Sequence, residues 1–521
     1  FKQKTAYEIG VRLVGSEMCI RDRFPSMRKY LTPNRDQSLL FPPDLRDWIP
    51  EDHLAKWMIR AMEKVDLSPF YRYHEEDKKA ASGRPPYDPA MMLTMIFYAL
   101  ALRESSSRKI EALTYSDIGA RYIMGNQHPD HSVFAEFRDV HKKNMEWAFA
   151  QVLYLCHSGG LIDLSLVAID STVIKASANK ANTIRTDELE EDLAKAICEA
   201  ERLLRELDAK DAHDREELKR RLKKEKARID GFNRALKHLE AMNVKPAIKR
   251  PEGPKAQADY EEKRSSVRSQ LAQIFKESRQ TKGLSLHILA EMTKISMASL
   301  SRYENALRTP SEQDKLRIAL ALDLDAGALP KVLDKIAFKA AIPRINTIDV
   351  ESYLIKREQT YYQGYLSQIA VDSKSQVVVA AGISPTNSDQ TFVAQAITQI
   401  AQNLQQTPKT IAADSGYCSE DNLKIAEEAG VDFLCPPGKL RPGAVRRSEP
   451  LRQMEARLAE PATWKTYLMR AQTVEPVFGD KKLNQGFDRY FVRGLVKVAG
   501  DWFQKMTVHN LMKLFRAQIL P

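Results

Sequence analysis

The pattern of apolar and polar positions first predicts a helical N-terminal region. From about Leu39 to Gly159, apolar clusters such as MMLTMIFYALAL recur between polar or proline-containing breaks, which is the pattern of helices joined by short loops. We place the boundaries of this domain at residues 27–160. No apolar run approaches the ~20 residues that a membrane-spanning helix needs, so we expect no membrane association.

A different pattern begins at Leu164–Asp170, an apolar run rich in β-branched residues that ends in an acid. It predicts a buried strand that carries a carboxylate at its C-terminal end. The pattern resumes much later, with strands predicted at residues 365–371, 376–383, 410–414 and 431–435 and helices at about 390–405 and 420–428. This order predicts a mixed five-stranded α/β sheet with helices packed on it, formed by residues 161–184 and 341–515.

Two helical segments interrupt the predicted sheet. Residues 185–250 carry apolar positions at helical spacing in dense alternating charge, which predicts a helical hairpin broken near residues 208–214. The hairpin is either a solvated extension or an element that clamps DNA or dimerises. Residues 255–340 predict a compact, all-α set of short helices.

The composition narrows the class of protein only slightly. The chain has 80 basic and 69 acidic residues, a formal charge of +11, which favours contact with a polyanion but is also compatible with a cationic surface that binds nothing. The five cysteines are scattered without a CxxC pair, so neither a zinc site nor a disulfide framework is predicted. A reducing cytoplasm fits this cysteine usage.

The first 26 residues look foreign to the rest of the chain. They do not begin with Met, and they lack the continuous apolar stretch of a secretory signal. We interpret residues 1–26 as a non-native leader and expect the natural start at Met27.

Candidate chemistry lies in three acids. Asp170 and Asp414 each end a predicted strand, and acids in that position project into the crevice where open α/β sheets bind ligands. Glu475, in TVEPVFG, lies on a later helical stretch. Three converging carboxylates repel one another unless hard divalent cations neutralise them, so the three predict a metal site. Taken singly, an Asp after a strand is more often a turn or capping residue.

Several stretches together resemble bacterial insertion-sequence DDE transposases: AIDSTVIKA, YYQGYLSQIAVDSKSQVVVAAG, AADSGYCSEDNL and TVEPVFGDKKLNQGFDRYFVRGLVKV, preceded by GRPPYDP and HPDHSVFAEFR. The resemblance implies a ribonuclease H-like core in which Asp170, Asp414 and Glu475 are the catalytic, metal-binding acids, with two Mg²⁺ or Mn²⁺ ions. It also implies cleavage and strand transfer of double-stranded DNA, at the terminal repeats of the element and in a target, by a homodimer in the bacterial cytoplasm and nucleoid.

Related transposases place a Tyr, an Arg and a Lys around the catalytic Glu, and Tyr467, Arg470 and Lys482 are similar in position. Lys482 has the usual offset from Glu475, whereas Arg470 is one residue early. A cation one or two turns from the acid can hold a DNA phosphate; the alternative is a solvated side chain on a helix surface.

Residues 271–325 resemble the helix-turn-helix of the Cro and phage-repressor class. On this resemblance Ser285 and Ser296 cap the second and the recognition helix, and Ser296, Ser299 and Arg302 are candidate DNA-binding residues. Leu286 and His287 replace the usual polar residues, and Met297 offers no bidentate base contact. A structural or protein-contacting module is therefore the alternative.

Three functions share these features. The leading one is an active transposase. The second is a DNA-binding regulator, or an inactive transposase relic, that acts through the helix-turn-helix. The third is a metal-dependent nuclease without strand transfer, which only a joining assay separates from the first.

Overall fold

The computed structural model describes residues 45–76, 86–209, 215–242, 254–325, 328–331, 343–357, 359–386, 388–438 and 448–519. The chain forms two compact units, residues 1–50 and 51–521. In the first unit the described part contains one short helix, α1 (Leu45–Trp48). The predicted leader, residues 1–26, lies outside the described residues. All elements below belong to the second unit.

The N-terminal region is helical, as the pattern predicts. Its helices are α2 (Leu54–Met62), α3 (Ser68–Glu76), α4 (Pro89–Ala101), α5 (Ser107–Ser116), α6 (Ile118–Ile123), α7 (His131–Val140) and α8 (Asn144–Ser158). Helix α4 is apolar on all sides and buried over most of its length, so it forms the centre of this region. Asp88 caps α4 by accepting from the amides of Ala90 and Met91, and Pro89 occupies the first turn, where its missing N–H costs nothing.

One mixed sheet follows, built from β1 (Leu166–Lys175), β4 (Tyr353–Arg357), β5 (Thr360–Asp372), β6 (Val378–Ile383), β7 (Thr410–Ala413) and β8 (Asp432–Leu434). The order is β4-β5-β1-β7-β8, and β6 pairs with β5. Strand β1 is antiparallel to β5 and parallel to β7, which is parallel to β8. Each of the five predicted strands is present. Strand β4 is an addition, because β5 is long enough to pair with β4 through its first residues and with β6 through its last.

The first strand does not end at Asp170, and this expectation was wrong. Strand β1 continues to Lys175 because residues 171–175 pair with β5 as far as Gly364. What ends near Asp170 is the parallel neighbour β7, whose last pair is Ala413 with Ile169. The acid therefore lies in the middle of a long strand, where the neighbouring strand stops.

Helices α15 (Phe392–Leu404), α16 (Glu420–Glu428), α17 (Glu449–Ala459), α18 (Pro461–Gly479) and α19 (Leu495–Arg516) complete the region, with a π-turn at Asp480–Asn484. Helix α18 packs on β1, β5 and β7, and α19 packs on β6 and on α8. One hydrophobic cluster runs from α2 through α8 and β1 to α19. The N-terminal helices and the sheet therefore share a single core.

The two interruptions are helical, as predicted. Helices α9 (Leu189–Ala209) and α10 (Arg215–Ala241) pack along each other as a hairpin; the chain between them, residues 210–214, lies outside the described part. A two-stranded antiparallel ladder lies at the base of the insertion and pairs β2 (Thr183–Arg185) with β3 (Arg344–Asn346). This ladder joins the first residues of the insertion to the last.

The second interruption contains α11 (Pro254–Thr281), α12 (Leu286–Thr293), α13 (Met297–Glu304) and α14 (Glu312–Ala321). These helices bury a hydrophobic cluster separate from the main core, centred on Phe275, Leu289 and Leu300. Ser285 and Ser296 are the N-caps of α12 and α13, as predicted, and they accept from the amides of Ile288 and Ser299. Among the described residues, no helix combines the length and apolar character needed to cross a membrane.

Candidate active site

The two aspartates that the sequence singles out are neighbours in the sheet. The last parallel pair of β1 and β7 joins Ile169 to Ala413, so Asp170 is the next residue of β1 and Asp414 is the first residue after β7. Adjacent strands are about 4.8 Å apart. The register alone therefore brings these carboxylates together, across a gap of more than two hundred residues in the chain.

The Asp170 carboxylate is mostly buried and is held by two donors. Oδ1 accepts from the amide of Ser171 at 2.7 Å, and Oδ2 accepts from Arg470 Nη1 at 2.9 Å. Burial raises the pKa of Asp170 above its ordinary value, and the nearby Asp414 charge raises it further, whereas Ser171 and Arg470 act in the opposite direction. The carboxylate is thus in an environment that favours a counter-charge.

Asp414 is oriented by the turn that follows β7. Its Oδ1 accepts from the amide of Gly416 at 2.8 Å. A Cβ at Gly416 would lie 3.1 Å from Asp414 Oδ1 and 3.3 Å from Asp389 Oδ2. Any side chain there would crowd both carboxylates, so glycine lets the turn approach them.

Asp389 is a third carboxylate at this place, and the sequence reasoning missed it. It lies between β6 and α15, and Gln368 on β5 donates to its Oδ1 and backbone oxygen at 3.3 Å each. Tyr417 is buried beside it, and its hydroxyl accepts from Gln368 at 3.4 Å. Burial raises the pKa of Tyr417, and Asp389 and Asp170 raise it further. In the sequence, Asp389 looks like an ordinary residue at the start of a helix, so no signal distinguished it.

Helix α18 brings two of the predicted residues to the aspartates. Arg470 pairs with Asp170, and Tyr467 is close enough to raise the pKa of its guanidinium together with Asp170. Burial raises the pKa of Tyr467, and the charges of Asp414 and Asp170 add to this effect. Tyr467 also stacks on Trp464, with ring centroids 5.2 Å apart. Arg470 and Tyr467 therefore lie partly buried beside Asp170 and Asp414. They are not solvated side chains on a helix surface, which was the alternative interpretation of the sequence.

Glu475 lies on the same helix, but its side chain is exposed. It follows Arg470 by five residues, a rise of about 7.5 Å along the axis. The next residue is Pro476, which has no N–H to donate to the carbonyl of Gln472. Gln376, in the turn between β5 and β6, donates to that carbonyl instead at 3.1 Å. This bond ties the helix that carries Glu475 to the sheet.

Lys482 lies in the π-turn after α18 and lines a cavity of about 450 Å³. Ser171, the residue after Asp170, lines the same cavity, together with Lys175 and Tyr362. Lys175 approaches the Tyr362 ring at 5.8 Å. Two lysines and an aromatic ring therefore border one cavity together with the residue that follows Asp170.

The donor set at the aspartates fits a hard divalent cation. Oxygen ligands on two adjacent carboxylates suit such ions, and a cation there would offset both the burial of Asp170 and its repulsion by Asp414. The structure does not bring the ligand atoms of all three predicted acids together. Among the described residues, one group offers three such atoms within 4.8 Å, and it lies elsewhere, at Glu111, Asp130 and His131.

That second group is explained by hydrogen bonds. His131 Nδ1 lies 2.9 Å from Glu111 Oε2 and 3.3 Å from Asp130 Oδ2. Asp130 is the N-cap of α7 and accepts from the amide of Ser132. The three side chains therefore stabilise the start of α7.

Comparison with protein families gives three matches. A transposase domain model (DUF772) matches residues 43–140, a transposase DDE domain model matches residues 345–511, and a helix-turn-helix model matches residues 275–329. The chain is a DDE transposase carrying a helix-turn-helix. No curated protein and no solved structure matches it.

The DDE match of the transposase begins after the insertions. It contains Asp414 and Glu475, whereas Asp170 precedes it on β1. The sheet unites the two parts, because β1 is the central strand between β5 and β7. DDE transposases use divalent metal ions in general, which agrees with the chemistry of the paired aspartates.

In the helix-turn-helix of the transposase, the two predicted serines are engaged with each other. Ser296 Oγ donates to Ser299 Oγ at 2.9 Å. Arg302 is exposed on the same recognition helix. The DNA contacts of these three residues stay a prediction.

We expect Glu304→Ala to destabilise the helix-turn-helix by about 3 kcal/mol. Arg279 forms a two-point ion pair with Glu304, at 2.7 and 2.9 Å, and this pair joins α11 to α13. Glu304 is buried, so the substitution leaves a guanidinium without its counter-charge. Hydrogen exchange of residues 271–322 measures the effect. Glu291→Ala, at an exposed position, is the control, and equal protection in both variants would contradict the prediction.

Proposed function

We propose that Asp170, Asp414 and Glu475 are the catalytic acids of this transposase and that they hold two divalent ions, Mg²⁺ or Mn²⁺. The observation that carries the proposal is the register of β1 and β7, which places Asp170 and Asp414 side by side. Glu475 is the third acid because its helix packs on both strands. The mixed sheet with packed helices supports the ribonuclease H-like core that the resemblance implies.

When bound, such ions activate an attacking hydroxyl and stabilise the leaving oxygen of an in-line phosphoryl displacement. The protein supplies the positions. Ser171 and Arg470 hold the carboxylate of Asp170, and the amide of Gly416 holds that of Asp414. Fixed carboxylates of this kind need no rearrangement during the reaction.

Arg470, Tyr467 and Lys482 are the DNA-binding residues of the proposal. Arg470 and Tyr467 lie at the aspartates, and Lys482 borders a cavity that Ser171, the residue after Asp170, also lines. The guanidinium and the ammonium supply positive charge to a backbone phosphate at the reacting strand. The phenol adds an aromatic surface at the same place.

The substrate of the proposal is double-stranded DNA, namely the terminal repeats of the element and a target. Joining two element ends to a target is served by two copies of the chain, so we include a homodimer in the proposal. Contact with the bacterial nucleoid follows from the substrate.

The transposase is expected to nick and join DNA that carries the element ends when Mg²⁺ or Mn²⁺ is present, and to do neither in EDTA. The measurement follows labelled ends on denaturing gels, with a product ladder for joining. Cleavage that persists in EDTA would contradict the metal site. Metal-dependent cleavage without any joined product would instead identify a nuclease that lacks strand transfer.

A further inference from the structure

A second cavity of the transposase lies outside the site described so far. It has a volume of about 630 Å³. Its walls come from the start of α5, from α7, from the loop at residues 491–492 and from α19. The first two belong to the transposase domain match and the last two to the DDE match. A ligand in this cavity would therefore contact both matched regions.

The main polar group of the cavity is the guanidinium of Arg138. Its Nη1 donates to the carbonyl of Ser105 at 2.7 Å. Its Nε and Nη2 are shielded from solvent and have no hydrogen-bond acceptor. These two N–H groups point in the same direction, as the two-pronged edge that binds two oxygens of one carboxylate or phosphate. Leaving such donors unpaired costs free energy, so this edge is suited to an oxyanion.

Two lysines of the cavity are paired with two aspartates. Lys497 Nζ lies 2.8 Å from Asp139 Oδ1, and Lys505 Nζ lies 2.9 Å from each carboxylate oxygen of Asp501. Glu136 also lines the cavity, and its side chain is exposed to solvent. The charge of Asp501 also acts on the Arg138 guanidinium and raises its pKa against the effect of burial, but Nε and Nη2 make no hydrogen bond to it, so this edge keeps its capacity for an added anion.

Two more groups support a polar ligand. Ser105, Ser106 and Ser107 line the cavity at the start of α5, whose first turn has no acidic residue and no side-chain cap; helix N-termini attract anions. Gln504 is 2% exposed and lines the cavity, and its Oε1 has no partner. The amide oxygen and nitrogen of a Gln can exchange places, so this group can also donate.

An exposed aromatic ring at the rim of the cavity favours a nucleotide as the molecule that carries the oxyanion. Phe491 lines the cavity and is 73% exposed, and an exposed ring next to a phosphate site is a stacking surface for a nucleobase. The same loop reaches the cavity that Ser171 and Lys482 line, because Asp488 lines that cavity as well. A DNA strand that passes through this cavity can therefore continue along the loop.

We propose that the cavity at Arg138 and Phe491 binds one nucleotide of the DNA substrate, with a backbone phosphate on the Arg138 guanidinium and the adjacent base on the Phe491 ring. The site rests on the transposase function but not on the assignment of the three acids. It would hold DNA across the junction of the two matched regions, at a distance from the reacting phosphate.

The test measures the affinity of the full chain for short labelled single-stranded and duplex DNA in EDTA. Arg138→Gln is expected to weaken binding about tenfold and to reduce the slope of log K against log salt by about one. Phe491→Ala is expected to weaken binding about tenfold at an unchanged slope. Since one nucleotide contacts both side chains, the double variant should lose less than the product of the single effects.

Matched controls are Arg121→Gln, whose guanidinium bonds to Asn126, and Tyr154→Ala, an exposed aromatic residue on α8; both should bind like the wild type. If Arg138→Gln fails to fold, the affinity of Phe491→Ala for DNA still tests the proposal, because an exposed ring contributes little to the stability of the fold. Wild-type binding by Phe491→Ala would overturn the proposal. So would an Arg138-dependent stabilisation by inorganic phosphate with unchanged DNA affinity, which would indicate a site for free oxyanions. Because DNA affinity is measured in EDTA, the result does not depend on whether Asp170, Asp414 and Glu475 bind metal ions.

Discussion

Asp170→Ala and Asp414→Ala are each expected to lower the rate of metal-dependent DNA cleavage on the order of 10³-fold or more. Each substitution removes a carboxylate from the pair that the register of β1 and β7 brings together. The lost carboxylate would also have held a cation, and that cation would have stabilised the negative charge that develops in the reaction. The measurement is the single-turnover cleavage rate with Mg²⁺ at saturating DNA.

The fall in the cleavage rate must be distinguished from unfolding of the variants. Burial raises the pKa of Asp170, but Asp170→Ala also leaves Arg470 partly buried without its counter-charge, so the free energy of unfolding of both variants is measured by urea unfolding beside the cleavage rate. Asp421→Ala, at an exposed position in the first turn of α16, is the matched control and should cleave normally. Undiminished cleavage by Asp170→Ala would remove this residue from the catalytic set.

Asn510→Leu is expected to lower the free energy of unfolding of the transposase by about 2–5 kcal/mol. Asn510 is fully buried on α19. Its Oδ1 accepts from the amide of Val378 at 2.9 Å, and its Nδ2 donates to the carbonyl of Val378 at 2.8 Å. The side chain therefore satisfies both backbone groups of a residue in β6. Leucine is similar in size but leaves both groups buried without a partner.

Urea unfolding of the full chain measures this difference. Gln402→Leu replaces an exposed amide on α15 and should change the midpoint only slightly, because the amide there bonds to water in both states. Equal midpoints for the two variants would show that α19 can shift enough to hydrate Val378. Such a shift would also move Trp502, which donates to the carbonyl of Gln368 at 3.1 Å.

The fold was predictable where local pattern and burial agree. The five strands found from the sequence are buried over most of their length, so apolar runs mark them. Strand β4 was missed because it pairs only with the first residues of β5. The end of β1 was placed too early, because an acid in mid-strand looks like a strand end until the length of each neighbour is known.

The site was predictable only in part. The motifs predicted that Asp170 and Asp414 are neighbours, and the place of Glu475 beside them stays a prediction. The position of Asp389 depends on a hydrogen bond from Gln368 and on the space that Gly416 leaves. Such contacts join residues far apart in the chain, and no local pattern encodes them. The same holds for Arg138, whose guanidinium donates to the carbonyl of Ser105.

The ladder of β2 and β3 affects how large a segment can be inserted into the catalytic region. Thr183–Arg185 pairs with Arg344–Asn346, so residues 186–343 leave and rejoin the catalytic region side by side. The entropy of closing a loop is governed by its ends and grows only logarithmically with its length, by about 0.6 kcal/mol per doubling. A segment anchored in this way can gain a whole folded module, such as the helix-turn-helix with its own core, while Asp170 and Asp414 keep their places. The ladder thus makes the length of the insertion nearly irrelevant to the geometry of the acids.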